Sequence, residues 1–176
     1  MLKPVFYDFE ANGLDGFPVE IGFAFVDDRN SIVSGGWLIK PDAQWEIANS
    51  WDAGAQEIHG ISPDQLMSEG LSAIHVAQRL NQSLAGRDLY SDSPFDQKWM
   101  AQLFDAAGLE PAFELKSTLA PALIDNLRVE LGFTEDDVAV LFRRADHEAP
   151  HIDRAEPDAR HLAAMWAGLL TFQLVR

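Results

Sequence analysis

The sequence contains no cysteine among its 176 residues. Disulfide bonds, thiolate metal sites and thiol catalysis are therefore excluded. No apolar run approaches the roughly 20 residues that a membrane-spanning helix needs. The first residues also lack the basic region and apolar core of a signal peptide. We therefore expect a cytoplasmic protein that does not bind a membrane.

Basic residues are scarce as well. The chain has 13 Lys and Arg against 28 Asp and Glu, and its formal net charge is −15. General binding to duplex DNA needs a basic surface, so this composition disfavours it. Bound divalent ions reverse the charge of an acidic site locally, so nucleic acid at a metal site stays compatible with it. With 47% hydrophobic residues, a chain of this length is expected to form one globular domain over residues 1–176.

The N-terminal quarter has the pattern of three strands. Apolar residues dominate 4–9, 19–26 and 31–39. Gly13, Gly16 and Pro18 mark the first turn, and the polar segment 27–30 marks the second. Two tight connections in a row predict an antiparallel three-strand meander.

Most of the remaining chain has helical periodicity. A short strand is predicted over 88–91, and helices are predicted over 47–58, 71–84, 95–107, 118–131, 135–142 and 157–174. In segment 71–84 the apolar positions include Ile74, Ala77, Leu80 and Leu84. A meander followed by alternating helix and strand predicts a mixed sheet with helices on both faces, an α/β or α+β domain.

Four acidic residues differ from the many that belong on solvated surfaces. Asp8 and Glu10 lie two positions apart at the end of a buried strand, so they share one face and repel each other unless a cation pairs them. Asp96 and Asp158 fall near the starts of two predicted helices. Acids at helix starts also complement the helix dipole. If all four converge, their oxygens form the kind of site that Mg²⁺ and Mn²⁺ prefer.

In four segments the chain resembles the DnaQ-like 3′–5′ exonucleases of the DEDD superfamily. These segments are DFEANGL with VEIG at 8–14 and 19–22, IHGIS at 58–62, SDSPFD at 91–96 and RAEPDA at 154–159. The last three are similar to the family's IHGIT, HNAxFD and HRAxxDA motifs. The resemblance implies an RNase H-like α/β fold, with a mixed five-stranded sheet (the antiparallel meander plus parallel strands) flanked by helices.

The resemblance also implies a metal-dependent reaction. Asp8, Glu10 and Asp158 would hold one Mg²⁺ or Mn²⁺ ion, Asp8 would extend to a second, and Asp96 would act directly or through water. Water would then attack the terminal phosphodiester of a 3′ end. The substrates implied are single-stranded DNA or RNA, or short oligonucleotides.

Three further residues carry implied substrate contacts. Asn12 and Leu14, after the first strand, would contact the terminal nucleotide, and His59 would lie beside its base or sugar. A structural role for His59 is an equal alternative. Trp51 precedes the IHGIS segment and is a candidate for lining the same groove, whereas Glu20 is expected to hydrogen-bond behind the acidic residues.

The positions at which the family carries its general base hold other residues in this chain. The family has a histidine five residues before its last aspartate, or a tyrosine four before it, and here those positions hold Asp153 and Arg154. His151 takes the role if the last helix starts late, at Pro157, because proline is favoured at the first helical position. Alternatively Asp153 itself is the base, although a carboxylate is a weaker one. In a third alternative there is no base and Asp153 caps the helix, which would place Pro157 at an unfavourable fourth position.

The second motif departs too, because Ser91 and Asp92 replace the family's His-Asn pair. These departures keep a second function open, a catalytically impaired module that binds nucleic-acid ends. Hydrolysis of another phosphodiester at the same site is a third. The sequence leaves the oligomeric state undetermined, a homodimer included.

Overall fold

Strand β1 lies at the centre of a mixed five-stranded sheet with the order β3-β2-β1-β4-β5. The computed structural model describes residues 3–45 and 51–173, of which 172 and 173 are described as backbone only. The five strands are β1 (Val5–Ala11), β2 (Pro18–Val26), β3 (Ile32–Leu38), β4 (Asp88–Tyr90) and β5 (Glu114–Leu115). β1, β2 and β3 pair antiparallel, while β4 is parallel to β1 and β5 is parallel to β4. The predicted meander and mixed sheet are confirmed.

Strand β1 continues two residues beyond its predicted end. It pairs Glu10 with Glu20, and a bulge shifts the register between Glu10 and Ala11. The chain then turns through Gly13, whose φ of 94° lies in the region that favours glycine. Bulges often re-aim side chains next to active sites, and this one lies directly after the second carboxylate of the strand.

Helices cover both faces of the sheet, as predicted. They are α1 (Ala53–His59), α2 (Pro63–Glu69), α3 (Ala73–Leu84), α4 (Phe95–Ala107), α5 (Ala120–Glu130), α6 (Glu135–Glu148) and α7 (Ala155–Gln173). Val5, Tyr7 and Phe9 of β1 join one core, with α3 and α4. Phe6 belongs to the other core, with α5, α6 and α7, where its ring lies 6.1 Å from that of Trp166.

Several helix ends follow from local chemistry. α4 has the predicted bounds and ends at Gly108, which has a φ of 62°. α6 begins at a capping box in which the Thr134 hydroxyl accepts the N–H of Asp137, and the Asp137 carboxylate accepts the N–H of Thr134. α6 begins at the predicted residue but runs to Glu148, six residues beyond the predicted end.

Other predicted helix details were wrong. α7 begins at Ala155 instead of Pro157, and Ile74 is 43% exposed because α3 turns Ala73, Val76 and Ala77 toward the core. α1 begins at Ala53, well after the predicted start, and residues 47–50 of that prediction lie outside the described residues, as does 174. Among the described residues, no helix combines the length and hydropathy needed to span a membrane.

Candidate active site

The carboxylates of Asp8 and Glu10 lie on the α7 side of the sheet. Both residues share this side with Phe6 because side chains alternate along β1. Burial raises the pKa of Glu10 to about 8, and the charges of Asp158 and Glu20 add to the effect. Burial, followed by repulsion from Asp96 and Glu10, also raises the pKa of Asp8 well above its ordinary value. The two residues therefore form a half-buried acidic pair on one face of the strand, as their spacing predicted.

Helix α7 carries Asp158 onto this face because Gly22 of β2 and Gly36 of β3 lie directly beneath its first turn. A Cβ on Gly22 would lie 2.2 Å from the carbonyl carbon of Ala155. A Cβ on Gly36 would lie 3.0 Å from the Cβ of Glu156. Only glycines allow the helix to approach this closely. The approach places Asp158, which is 6% exposed, one turn into α7 and near Glu10.

The first turn of α7 is anchored by Glu20 of β2. Its carboxylate accepts the backbone N–H of Ala155 at 3.1 Å and the Nε–H of Arg154 at 2.8 Å. A second guanidinium contact makes the ion pair bidentate. Glu20 therefore caps α7, the role that one of the sequence-based alternatives gave to Asp153. Pro157 is the third residue of α7, where its missing N–H has no intrahelical partner to lose.

The segment before α7 folds back over Asp158. The carboxylate of Asp158 accepts the backbone N–H groups of Ile152 at 3.0 Å and Arg154 at 3.2 Å. Between them, Asp153 takes a left-handed conformation with a φ of 51°. This reversal brings Nε2 of His151 to 3.4 Å from an oxygen of Asp158. His151 thus reaches the acidic residues through a loop, although the helix does not start late.

Asp96 is the most deeply buried of the acids, at 1% exposure. Neither of its carboxylate oxygens accepts a hydrogen bond from the described residues. The hydroxyl of neighbouring Ser91 donates instead to the carbonyl of Ser93 at 2.9 Å. Burial and the charge of Asp92 raise the pKa of Asp96 to about 8. An unpaired buried carboxylate is costly, so Asp96 is expected either to hold a proton or to bind a cation.

The acids form two groups that share Asp8. Oxygens of Asp8, Glu10 and Asp158 lie within 4.8 Å of one another, and so do oxygens of Asp8, Asp92 and Asp96. The parallel pairing of β1 and β4 brings the two groups to the same edge of the sheet. Carboxylate oxygens are the ligands of hard divalent cations, so the donor set fits Mg²⁺ or Mn²⁺.

The fold is shared with solved exonucleases. E. coli Exonuclease I in complex with a dA16 oligonucleotide matches with a TM-score of 0.65 at 16% identity, over 99% of this chain and 41% of that chain. Exonuclease I from Methylocaldum szegediense matches with a TM-score of 0.63 at 17% identity. The match covers 100% of this chain and 40% of that chain. Exonuclease X in complex with 5′ overhanging duplex DNA matches with a TM-score of 0.56 at 19% identity. That match covers 96% of this chain and 92% of the Exonuclease X chain. This chain thus spans about two fifths of the Exonuclease I chains. No protein-family model and no curated protein matches it.

A groove of about 350 Å³ opens beside Glu10. Leu14, 63% exposed, lines it together with His59 and Trp99. Among the described residues Trp99 therefore lies where the sequence suggested Trp51. The indole N–H of Trp51 instead donates to Gln56 at 2.7 Å, and its ring lies 6.4 Å from that of Phe17.

The two polar residues expected at the substrate are both buried. His59 is 4% exposed, its Nδ1 accepts the N–H of Ile61 at 3.0 Å, and burial lowers its pKa. Asn12 is 2% exposed, and its side-chain oxygen accepts the N–H of Asp52, the residue that caps α1. Asn12 therefore fixes the start of α1, while His59 forms part of the groove wall.

Sequence reasoning missed Asp92 as a member of the acidic site, and it considered Asp153 only as an alternative base or a helix cap. Asp153 lies with His151 and Asp158 in a third group whose ligand atoms are within 4.8 Å. Asp92 was noted only as a departure from a motif. Its position two residues after β4 was the available signal, because side chains at the ends of parallel neighbouring strands meet at one edge.

Proposed function

We propose that this protein is a metal-dependent 3′–5′ exonuclease that removes nucleotides from single-stranded or short nucleic acids. The observation that carries the proposal is the convergence of carboxylates on Asp8 from β1, α4 and α7. Shared fold supports it, since the matched structures include Exonuclease I with an oligonucleotide and Exonuclease X with overhanging DNA. We infer that residues 1–176 act as one catalytic domain.

The chain's own residues have distinct tasks in this proposal. Asp8, Glu10, Asp96 and Asp158 hold two divalent cations, which when bound activate water and stabilise the leaving oxygen of a phosphodiester. His151 accepts the proton of the attacking water at Nε2, and Asp158 stabilises the imidazolium from 3.4 Å. The P–O3′ bond breaks, which releases a nucleoside 5′-monophosphate and a new 3′ hydroxyl.

The groove beside Glu10 supplies the substrate contacts. Leu14 and Trp99 offer apolar surface on which the terminal base packs. The loop that carries Leu14 is held in place because Lys98 of α4 donates to the Leu14 carbonyl at 3.0 Å. His59 closes one wall, and Asn12 positions that wall through Asp52.

Net charge restricts the substrate. At −15 the protein repels long polyanions at a distance beyond the metal site. Short or single-stranded ends present fewer phosphates to this surface. We therefore expect cleavage of oligonucleotides to be faster than cleavage of long duplexes.

The test is hydrolysis of oligonucleotides labelled at either end, in DNA and RNA, with Mn²⁺ or Mg²⁺. We expect nucleoside 5′-monophosphates to be released from the 3′ end, and Asp8→Asn to reduce the rate to background. Asp105→Asn, an exposed acid on α4, is the matched control and should retain the wild-type rate. Intact oligonucleotides across the whole panel with pure wild-type protein would refute the proposal.

A module that binds ends without cleaving them is the second candidate. His151 favours it, because its side chain is 55% exposed and hydrogen-bonds to none of the described residues. The same panel separates the two functions. Saturable binding of oligonucleotides in Mn²⁺, with no turnover at any pH, would assign the second function.

A further inference from the structure

Asp92 lies on the loop between β4 and α4, beside two of the proposed metal ligands. Its carboxylate falls within the 4.8 Å group that includes oxygens of Asp8 and Asp96. Asp92 itself is exposed, so it faces the open side of the acidic site. Three carboxylates so close together repel one another unless a cation lies among them.

A structural role in helix α4 does not account for Asp92. The N-cap of α4 is Pro94, which has no side-chain cap bond. The first N–H of the helix, that of Phe95, is satisfied by the Ser93 hydroxyl at 3.2 Å. The side chain of Asp92 is therefore not used to start the helix that follows it.

Asp96 supplies an independent sign of a ligand. It is 99% buried, and both of its oxygens lack a hydrogen-bond donor among the described residues. Folding has therefore placed a carboxyl group where Ser91 and Ser93 only partly offset the cost of burying its charge. Asp92 adds a second negative charge next to it and so increases the demand for a cation.

We propose that Asp92 is a ligand of the second divalent cation, together with Asp8 and Asp96. This inference rests on the proposed two-metal site and adds to it a fifth carboxylate. Glu10 and Asp158 complete the first ion's site with Asp8, while Asp92 completes the second from the solvent side. Because Asp92 is exposed, it binds the ion without a large cost of burial.

The test is direct Mn²⁺ binding, measured by titration calorimetry and by the electron paramagnetic resonance signal of free Mn²⁺. Wild type should bind two ions. Asp92→Asn, which removes charge and keeps shape, should bind the first ion as wild type does and the second at least about tenfold more weakly. Asp105→Asn should retain both ions, since Asp105 is an exposed acid of α4 outside the acidic groups.

Two unchanged affinities in Asp92→Asn would overturn the proposal, and so would an equal weakening of both ions. Thermal denaturation in EDTA checks folding, and the exposed substitution should leave the melting temperature at or above that of wild type. Hydrolysis by wild type is scored separately. If Asp92→Asn loses the second ion and wild type hydrolyses nothing, Asp92 is upheld as a ligand and the exonuclease proposal is refuted. If wild type hydrolyses oligonucleotides and Asp92→Asn keeps both ions, the exonuclease proposal is upheld and the role of Asp92 is refuted.

Discussion

His151 lies on the exposed side of the acidic site, yet it contacts two other side chains there. Its ring stands perpendicular to that of His161, with centroids 6.2 Å apart. Nδ1 of His161 in turn lies 2.9 Å from the carbonyl of Ala149, two residues before His151. The loop is thus tied to α7 both near His161 and at Asp158.

The first prediction concerns this residue. His151→Ala should lower kcat by about 10²–10⁴-fold, the usual contribution of a general base, with little change in KM. Asp153→Asn, which removes the charge and tolerates the left-handed conformation of the same loop, is the matched control and should lower kcat far less. Steady-state hydrolysis of a short oligonucleotide measures both. If the His151 variant kept the wild-type rate, the base would have to be another residue.

At the scale of elements, the acidic site depends on the contact between α7 and the sheet. The first turn of α7 lies over Gly22 and Gly36, which are paired across β2 and β3. Glu20 ties the same turn down through Ala155 and Arg154. One wall of the site therefore rests on a strand pair from the start of the chain, more than 100 residues away in sequence.

The second prediction tests that contact. Gly22→Ala introduces a Cβ that overlaps the backbone of α7, so we expect a loss of about 1–3 kcal/mol in the free energy of unfolding, or more. The shift of Asp158 should also weaken Mn²⁺ binding. Gly35→Ala is the control, because its Cβ would meet the ring of Phe23 at 3.1 Å and no backbone. Urea denaturation and Mn²⁺ titration measure the two effects, and equal losses in both variants would contradict the prediction.

For the molecule as a whole, the raised pKa values of the acids are expected to make stability depend on pH. The pKa values of Glu10 and Asp96 are about 8 in the folded protein and about 4 in an unfolded chain. Between these values the folded state holds more protons than the unfolded state. The free energy of unfolding therefore falls as pH rises from about 4 to about 8, and no further above that.

The third prediction follows from this linkage. In EDTA the melting temperature should be several degrees lower near pH 8 than near pH 5. Each kcal/mol lost from the free energy of unfolding lowers it by about 2–4 °C. Mn²⁺ should restore it near pH 8, because cations bind the ionised carboxylates of the folded state. Differential scanning calorimetry checks both effects. Asp96→Asn should flatten the dependence, and an equally steep curve in this variant would show that other groups set it.

Much of the fold could be predicted from local patterns. Alternation and turn residues located β1, β2 and β3, and helical periodicity located both ends of α4 and the start of α6. Where prediction failed, distant contacts decided the outcome. α7 starts at Ala155 because Glu20 accepts its first N–H, and Ile74 is exposed because the packing of α3 selected other residues for the core.

The sequence by itself determined which carboxylates are available and that Asp8 and Glu10 share a face, because period-2 alternation is a local property of a strand. The tertiary structure alone decided that Asp92 lies with Asp8 and Asp96, and that a reversal at Asp153 brings His151 to Asp158. It also placed Trp99 in the groove. These placements depend on parallel strand pairing and on a helix seated over glycines, which join residues that are far apart along the chain.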